Sequence, residues 1–361
     1  MSSFDTYILE QTRLHPAFGP QDALKLCYQA TYGAEHLLQE AASVKAYFEK
    51  EFSETPAADL PLFEMICREY GRVNLAAWKH RQLPAEWLFQ IFFMTASIPS
   101  SSSATDLYSC FHSVTALAQQ SLLPFALGNW KQHCENYKKA NIGAQRPSPV
   151  HHSAAYRTSE KPAYRIVHAK YLKLIPLLQA IAALPTNKKG QATVITIDGR
   201  AASGKSTLAD QLTTILQAGL IHMDDFFLPP VLRSEKRLAE AGGNVHYERF
   251  AEEVLPQLRK TDSFSYTCFD CSRMAMGDSR TVSESHYRIV EGSYSNHPSF
   301  GDYADLKILC DIDPKTQMQR IFNRNGEELA EMFRTRWIPM EENYFLTFNI
   351  PDKSDLIYNT N

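Results

Sequence analysis

The stretch TVITIDGRAASGKSTLADQL, which begins at Thr193, constrains this chain more than any other part of it. A β-branched run leads into a small-residue turn and then into a helical pattern. Within the turn, Gly199, Gly204, Lys205 and Ser206 form G-x4-G-K-[ST]. Glycines let the backbone bend tightly and bring its N–H groups close to an anion. The helix that starts near Lys205 adds the positive end of its dipole. A lysine at this position reaches β- and γ-phosphates, and the hydroxyl after it ligates Mg²⁺. We therefore expect Gly199, Arg200, Ala201, Ala202, Ser203, Gly204, Lys205, Ser206 and Thr207 to hold the phosphates of a nucleotide, with Ser206 on Mg²⁺. The alternative is a chance match. A strand candidate directly before the loop and a helix candidate directly after it argue against that alternative.

This loop lies more than halfway along 361 residues, a length that suggests two domains. Before residue 185 the pattern is helical, in segments such as PAEWLFQIFFMTASI and TDLYSCFHSVTALAQQSLL, and period-2 alternation is scarce. Asp22 is a candidate N-cap for one of these helices. After the polar segment PTNKKGQ the pattern changes. ATVITI, GLIHM, YRIVEG and LKILCDI are short β-prone runs separated by helix-sized segments, which indicates parallel βαβ units. The expected organisation is a mainly α-helical domain over 1–187 and an α/β P-loop NTPase domain over 188–361, with a parallel sheet flanked by helices.

A net charge of −3 gives no sign of nucleic-acid binding. Seven scattered cysteines fit a reducing compartment, and the N-terminal MSSFDTYILEQ lacks the basic and apolar regions of a signal peptide. The longest apolar runs are too short to span a bilayer. A cytoplasmic protein without membrane or nucleic-acid partners is expected. Its partner is a small-molecule acceptor, with self-association left open.

Acidic residues follow two of the strand candidates. Asp224 and Asp225 come after GLIHM, and Glu291 ends YRIVE. Carboxylates at the carboxyl ends of parallel strands sit beside the ligand crevice. One there can accept a proton from an attacking hydroxyl or help hold a metal. The plainer readings are a helix cap and a turn residue. Farther on, Arg320 and Arg324 stand at i, i+4, and Arg334 and Arg336 follow. Mobile arginines neutralise charge in phosphoryl transfer, although such a group is also an ordinary solvated helix face.

The motifs IDGRAASGKST, MDDFF, RIVEGSY and RIFNR resemble those of the uridine kinase family of P-loop kinases, over about residues 190–345. The resemblance implies a nucleoside-monophosphate-kinase-like fold and transfer of the γ-phosphoryl group of ATP to a hydroxyl of a small molecule such as a nucleoside. By the same resemblance, Asp224 falls on the general base, Glu291 on the Mg²⁺-positioning acid, and Arg320 and Arg324 on the lid. Departures include Phe227, where the family often has Tyr. In SYTCFDCSRMAMGD, Asp270 is the candidate for acceptor hydroxyls, and Arg336 is a second substrate candidate. A P-loop ATPase that switches the helical domain is the competing reading. Cys268 and Cys271 form one C-x-x-C without a second pair nearby, and we read them as structural thiols.

The N-terminal part resembles an uncharacterised bacterial helical domain. Its polar clusters are ATYGAEHLL, with Glu35 and His36, GRVNLAAW, with Asn74, and PVHHSAAYRTSEKPAYRIV. The last brings His151, His152, Ser153, Tyr156, Tyr164 and Arg165 into one short segment. His151, His152, Tyr156 and Arg165 are the candidates for a second ligand site, against a surface loop with capping residues.

Overall fold

The computed structural model describes residues 3–34, 41–99, 102–144, 146–185 and 190–360. Two compact units divide the chain, Met1–Ala182 and Ala183–Asn361. The boundary expected near 188 falls in 186–189, and Glu35 and His36 also lie outside the described residues.

The first unit is mostly helix, as the apolar periodicity indicates. Among its helices are Ser3–Leu14, Pro20–Tyr32, Ala41–Glu54, Ala85–Ala96, Ala104–Gln119 and Leu127–Ala140. Pro20 occupies the first turn of the second of these, where its missing N–H costs nothing. Gly19 is the N-cap rather than Asp22. Asp22 sits three residues on and reaches back to the Gly19 N–H at 3.2 Å. Asn74 caps Leu75–His80 by accepting the Ala77 N–H at 3.1 Å, so its role is the plain one. Large side chains fill the core, including Trp78, Trp130, Tyr28 and Phe48. Trp130 donates its indole N–H to Thr115 Oγ1 at 2.9 Å, which satisfies a polar atom that burial would otherwise strand.

The mainly helical unit expected from the sequence also contains a small sheet. Strands β1 (Phe63–Met65), β2 (Tyr70–Asn74) and β3 (Tyr164–His168) form a three-stranded antiparallel sheet in that order. Its central strand is buried at four of five positions, so no inside–outside alternation marks it in the sequence.

In the second unit, β4 (Thr193–Gly199), β5 (Gly219–His222), β8 (Tyr287–Glu291), β9 (Leu306–Asp311) and β10 (Leu356–Asn359) make a five-stranded sheet. A separate antiparallel hairpin is formed by β6 (Phe264–Asp270) and β7 (Ala275–Val282). The order is β10-β9-β4-β8-β5, and every adjacent pair is parallel. The run before the phosphate loop is thus the central strand. Ile197 and His222 both pair with Glu291, and Gly199 pairs with Cys310. This register brings the carboxyl ends of four strands to one edge. There the segments after β4, β5 and β8 leave the sheet together. One face of the sheet buries Val194, Ile221, Phe226, Phe250, Val290, Tyr344 and Phe345 in a common core.

Candidate active site

The loop after β4 turns at Gly199, whose φ is +146°. A Cβ there would lie 2.3 Å from the Cys310 carbonyl oxygen, so only glycine fits this close approach to β9. The preceding Asp198 is completely buried. It accepts N–H groups from Gly199 (2.7 Å), Tyr294 (3.1 Å) and Asn296 (3.0 Å), and the Tyr344 hydroxyl (2.7 Å). Burial pushes its carboxyl above the usual range despite these four donors. Asp198 therefore locks the loop entrance to the β8 exit and to the helix Ile338–Phe348. The sequence signal for this role was an acid directly before the first loop glycine.

Gly204 begins the helix Lys205–Leu216. Lys205 folds over the loop, with Nζ donating to the Arg200 carbonyl at 2.8 Å. Ser206 lies in the first helical turn, and its Oγ is 3.3 Å from Glu291 Oε2. The other carboxylate oxygen, Oε1, is 2.6 Å from His222 Nδ1. That hydrogen bond raises the His222 imidazole above its ordinary value, against the burial that opposes it. Thr207 is exposed in the same turn.

Asp224 and Asp225 take different roles. Asp225 is buried, accepts the Tyr266 hydroxyl at 2.8 Å and pairs with Arg280 Nε at 2.8 Å. It ties the short turn Met223–Phe226 to the β6–β7 hairpin. Asp224 caps no helix, and it has no hydrogen bond or ion pair among the described residues. The residue is exposed at the surface, yet protein atoms gather around its carboxyl group. That desolvation raises its carboxyl, helped by the charges of Glu291 and Asp225 and opposed by Lys205 and His222. An unpaired carboxylate with a raised pKa, within the field of the loop lysine, is equipped to take a proton. Gly292, after Glu291, allows close packing here, since a Cβ at this position would lie 2.8 Å from Met223 Cβ.

Several other sequence candidates lie elsewhere. Arg200 turns onto Asp311 (2.7 Å) and Glu342 (2.5 Å) and lies over the Phe345 ring, so its guanidinium serves as a clamp and not as a phosphate ligand. Ala201 presents its N–H to the buried Glu341 at 2.9 Å, and Glu341 also accepts the Ser293 hydroxyl at 2.8 Å. Ser203 is fully buried, and its Oγ has no partner among the described residues. Arg320 was expected in a lid. It instead donates to the Ala202 carbonyl at 3.3 Å and to Thr360 Oγ1 at 3.0 Å, and Thr360 Oγ1 in turn donates to the Ser203 carbonyl at 2.7 Å. The helix Pro314–Met332 runs past the loop at this point, and unsatisfied loop carbonyls capture the guanidinium. Asp270 is also committed, because its Oδ1 accepts the N–H and hydroxyl of Ser272 at 2.8 and 2.6 Å and closes the hairpin turn. All seven cysteines are free.

Arg324 and Arg336 are exposed. Arg324 bonds its neighbour Asn325 at 2.8 Å and lies over Phe333. Between them the helical path breaks at Gly326 (φ +79°, ψ 177°) and passes through a π-helical turn, Phe333–Trp337. Such irregular turns let a segment pivot. Arg334 in this turn is paired with Glu331.

The anchoring role of Arg320 has a measurable consequence. Arg320→Ala is expected to lower the melting temperature and weaken ATP binding, while the rate at saturating ATP changes less than about threefold. A large loss of that rate with unchanged stability would return Arg320 to the lid.

Strand order, loop and acid-lined edge together decide the architecture. The second unit has a P-loop kinase-type fold. Comparison with solved structures finds likeness over about half the chain. A possible uridine kinase from Bacillus stearothermophilus shares 22% identity at a TM-score of 0.40, over 52% of this chain and 98% of that one. A proposed fructose transport system kinase from Silicibacter sp. TM1040 shares 21% at 0.42, over 51% and 98%. The D-glycerate 3-kinase of Cryptococcus neoformans shares 16% at 0.34, over 48% and 85%. No protein-family model and no curated protein matches the chain. No helix among the described residues is long and apolar enough to cross a membrane.

In the first unit the adjacent histidines part ways. His151 is exposed, and its carbonyl accepts Gln21 Nε2 at 3.0 Å. His152 is buried, with Nδ1 2.8 Å from Asp22 Oδ1 and Nε2 2.7 Å from the Tyr164 hydroxyl. Its ring stacks on Tyr156 at 4.3 Å and 8°. Burial pushes the imidazole down to about 4. Burial would raise Asp22, but the bonds from His152 and Ser153 outweigh it and hold the carboxyl low. His152 is therefore neutral, with Nδ1–H donating to the acceptor-only carboxylate and Nε2 accepting the Tyr164 O–H. Arg165, next along β3, belongs to another group: it pairs with Glu51 at 2.5 Å and lies over the Phe48 ring. His152 and Tyr156 are brought together; His151 and Arg165 are not.

Proposed function

We propose that this protein transfers the γ-phosphoryl group of ATP to a hydroxyl of a small molecule, a nucleoside being one candidate, with the second unit as catalyst. The observation that carries the reading is the placement of Asp224. It is an unpaired acid at the end of β5, electrostatically coupled to Lys205 of the phosphate loop and to Glu291. The loop amides and Lys205 would hold the phosphates, with Nζ exchanging the Arg200 carbonyl for phosphate oxygen. Mg²⁺ fits the donors present, because it is usually held by one or two carboxylates or hydroxyls together with substrate phosphates and water. Ser206 and Glu291 supply such a pair, and when bound the ion would neutralise phosphate charge.

Asp224 would accept the proton of the acceptor hydroxyl as its oxygen bonds to the γ-phosphorus and the bond to the ADP oxygen breaks. His222 would orient Glu291 through the Nδ1 bond. Arg324 and Arg336, on either side of the Gly326 break, would screen the charge of the equatorial oxygens when that segment closes. Activity is expected in the cytoplasm.

The deciding experiment measures ADP release with and without a panel of nucleosides, sugars and other alcohols. A kinase accelerates at least about tenfold with its acceptor. Equal turnover under all conditions would favour an ATP-hydrolysing switch instead.

A further inference from the structure

Glu341 stands where the helix Ile338–Phe348 meets the phosphate loop, and it is 7% exposed. Both of its oxygens are engaged. Oε2 accepts the Ala201 N–H at 2.9 Å, and Oε1 lies 2.8 Å from Ser293 Oγ. The same Ser293 oxygen, also buried, lies 2.9 Å from the Gly199 carbonyl oxygen. A carbonyl only accepts, and a serine carries one O–H. That proton serves Oε1 or the Gly199 oxygen, one at a time. With Glu341 ionised, the Ser293 hydroxyl goes to Oε1, and the Gly199 contact holds no proton. With Glu341 protonated at Oε1, it donates to Ser293, and Ser293 donates to Gly199. The Ala201 N–H is accepted in both forms. The acid form therefore completes every contact, and a proton can enter without breaking this clamp on the loop.

The surrounding charges decide which form is held. Lys205 Nζ donates to the Arg200 carbonyl, and Glu341 accepts the Ala201 N–H, so the two side chains hold opposite ends of one peptide group. Burial raises the Glu341 carboxyl above its ordinary value, and Asp198 at the end of β4 adds to this. Lys205 and the bonds from Ala201 and Ser293 oppose it. Tyr294, beyond β8, is a neutral phenol, and Arg200 and Glu342 are paired with each other at 2.5 Å. Lys205 is thus the cation that favours the carboxylate form. Phosphate oxygens at the loop would engage that ammonium and bring negative charge of their own. Both changes work against a second buried anion at Glu341.

We propose that Glu341 takes up a proton from solvent when a nucleotide triphosphate enters the loop, through the Glu341–Ser293–Gly199 chain of contacts, and that this makes nucleotide affinity depend on pH. The proposal rests on the reading of the loop as a nucleotide site. Its sign follows from linkage: binding that takes up a proton weakens as the pH rises. Glu341 would act on the phosphates only through the loop backbone, as a positioning residue.

The test is calorimetric titration of the full chain with a non-hydrolysable ATP analogue and Mg²⁺. Runs are made at about pH 7.5, above the second phosphate pKa of about 6, in two buffers of different ionisation enthalpy. The parent is expected to take up about half to one proton per analogue bound, and its affinity should fall by up to about tenfold per pH unit. Glu341→Gln copies the acid form, because its amide donates to Ser293 through Nε2 and accepts the Ala201 N–H through Oε1. That variant should lose most of the proton uptake and bind the analogue about threefold or more tightly than the parent at about pH 8. Glu341→Ala, which loses the clamp, should bind more weakly than either, and this separates the proton from the structural bond. A parent that binds no analogue overturns the nucleotide reading of the loop, and this proposal with it. A parent that binds without proton uptake overturns the proton role alone. So does equal uptake in Glu341→Gln, or a Glu341→Gln that binds more weakly or does not fold, since it keeps every bond of the acid form.

Discussion

Asp224→Asn should cut phosphoryl transfer by about 10²–10⁴-fold, the usual contribution of a positioned general base. ATP affinity should change little, because among the described residues Asp224 makes no hydrogen bond or ion pair with the loop backbone or Lys205. The amide keeps the size of the acid but cannot accept the acceptor's proton. A second measurement separates catalysis from structure. The Asp224 carboxyl is raised above its ordinary value by desolvation and by the nearby charges of Glu291 and Asp225. A raised carboxyl binds its proton more tightly in the folded state, so its ionisation detracts from stability once the pH passes the unfolded value. Asn removes that penalty, and the variant should melt slightly higher than the parent at neutral pH. For the same reason transfer in the parent should rise with pH through the raised carboxyl pKa and then level off. Loss of ATP binding along with transfer, or a clear fall in melting temperature, would make Asp224 a structural residue.

The largest stability effect is expected in the first unit. Arg72→Ala should cost about 3–5 kcal/mol, as removing one member of a buried charged network does. Arg72 sits on the central strand β2, and it joins Gln11 of the first helix to Gln29 of the second while lying 4.4 Å from the Tyr164 ring centre. Truncation leaves both amides short of a partner and opens a cavity beneath an aromatic ring. The value should fall toward the lower end, because Glu64 is partly exposed and keeps its water when its counter-charge goes. Arg72→Lys should rescue little, since one ammonium cannot reproduce a fork aimed at two amides. Denaturant unfolding of the full chain, read by the signals of the first unit, measures this. A change within about 0.5 kcal/mol, the range of an ordinary surface substitution, would show that the network does not hold the unit together.

Much of the second unit was legible in the sequence. G-x4-G-K-S, with β-branched residues before it and helix formers after it, is a local pattern, and each piece acts through its own backbone. The β-prone runs at ATVITI, GLIHM, YRIVEG and LKILCDI became β4, β5, β8 and β9 for the same reason, since a buried parallel strand reads as an apolar run. The edge strand LIYN at β10 was missed, because half-buried residues near a chain end carry a weak signal. In the first unit the sheet stayed hidden, because β2 is nearly all buried and β1 spans only three residues.

Local pattern by itself determined that a tight glycine turn and a helix start follow a buried strand here, since glycine freedom and a helix start are properties of neighbouring residues. Which charged side chains stand free and which are consumed was decided only by the tertiary structure. Asp224 and Asp225 are adjacent and alike in sequence, yet the hairpin supplies Tyr266 and Arg280 to one and leaves the other open. Arg320 and Arg324 share a helix face, yet loop carbonyls and Thr360 capture the first. A side chain's chemistry depends on partners that arrive from distant parts of the chain, and no spacing along the sequence records them.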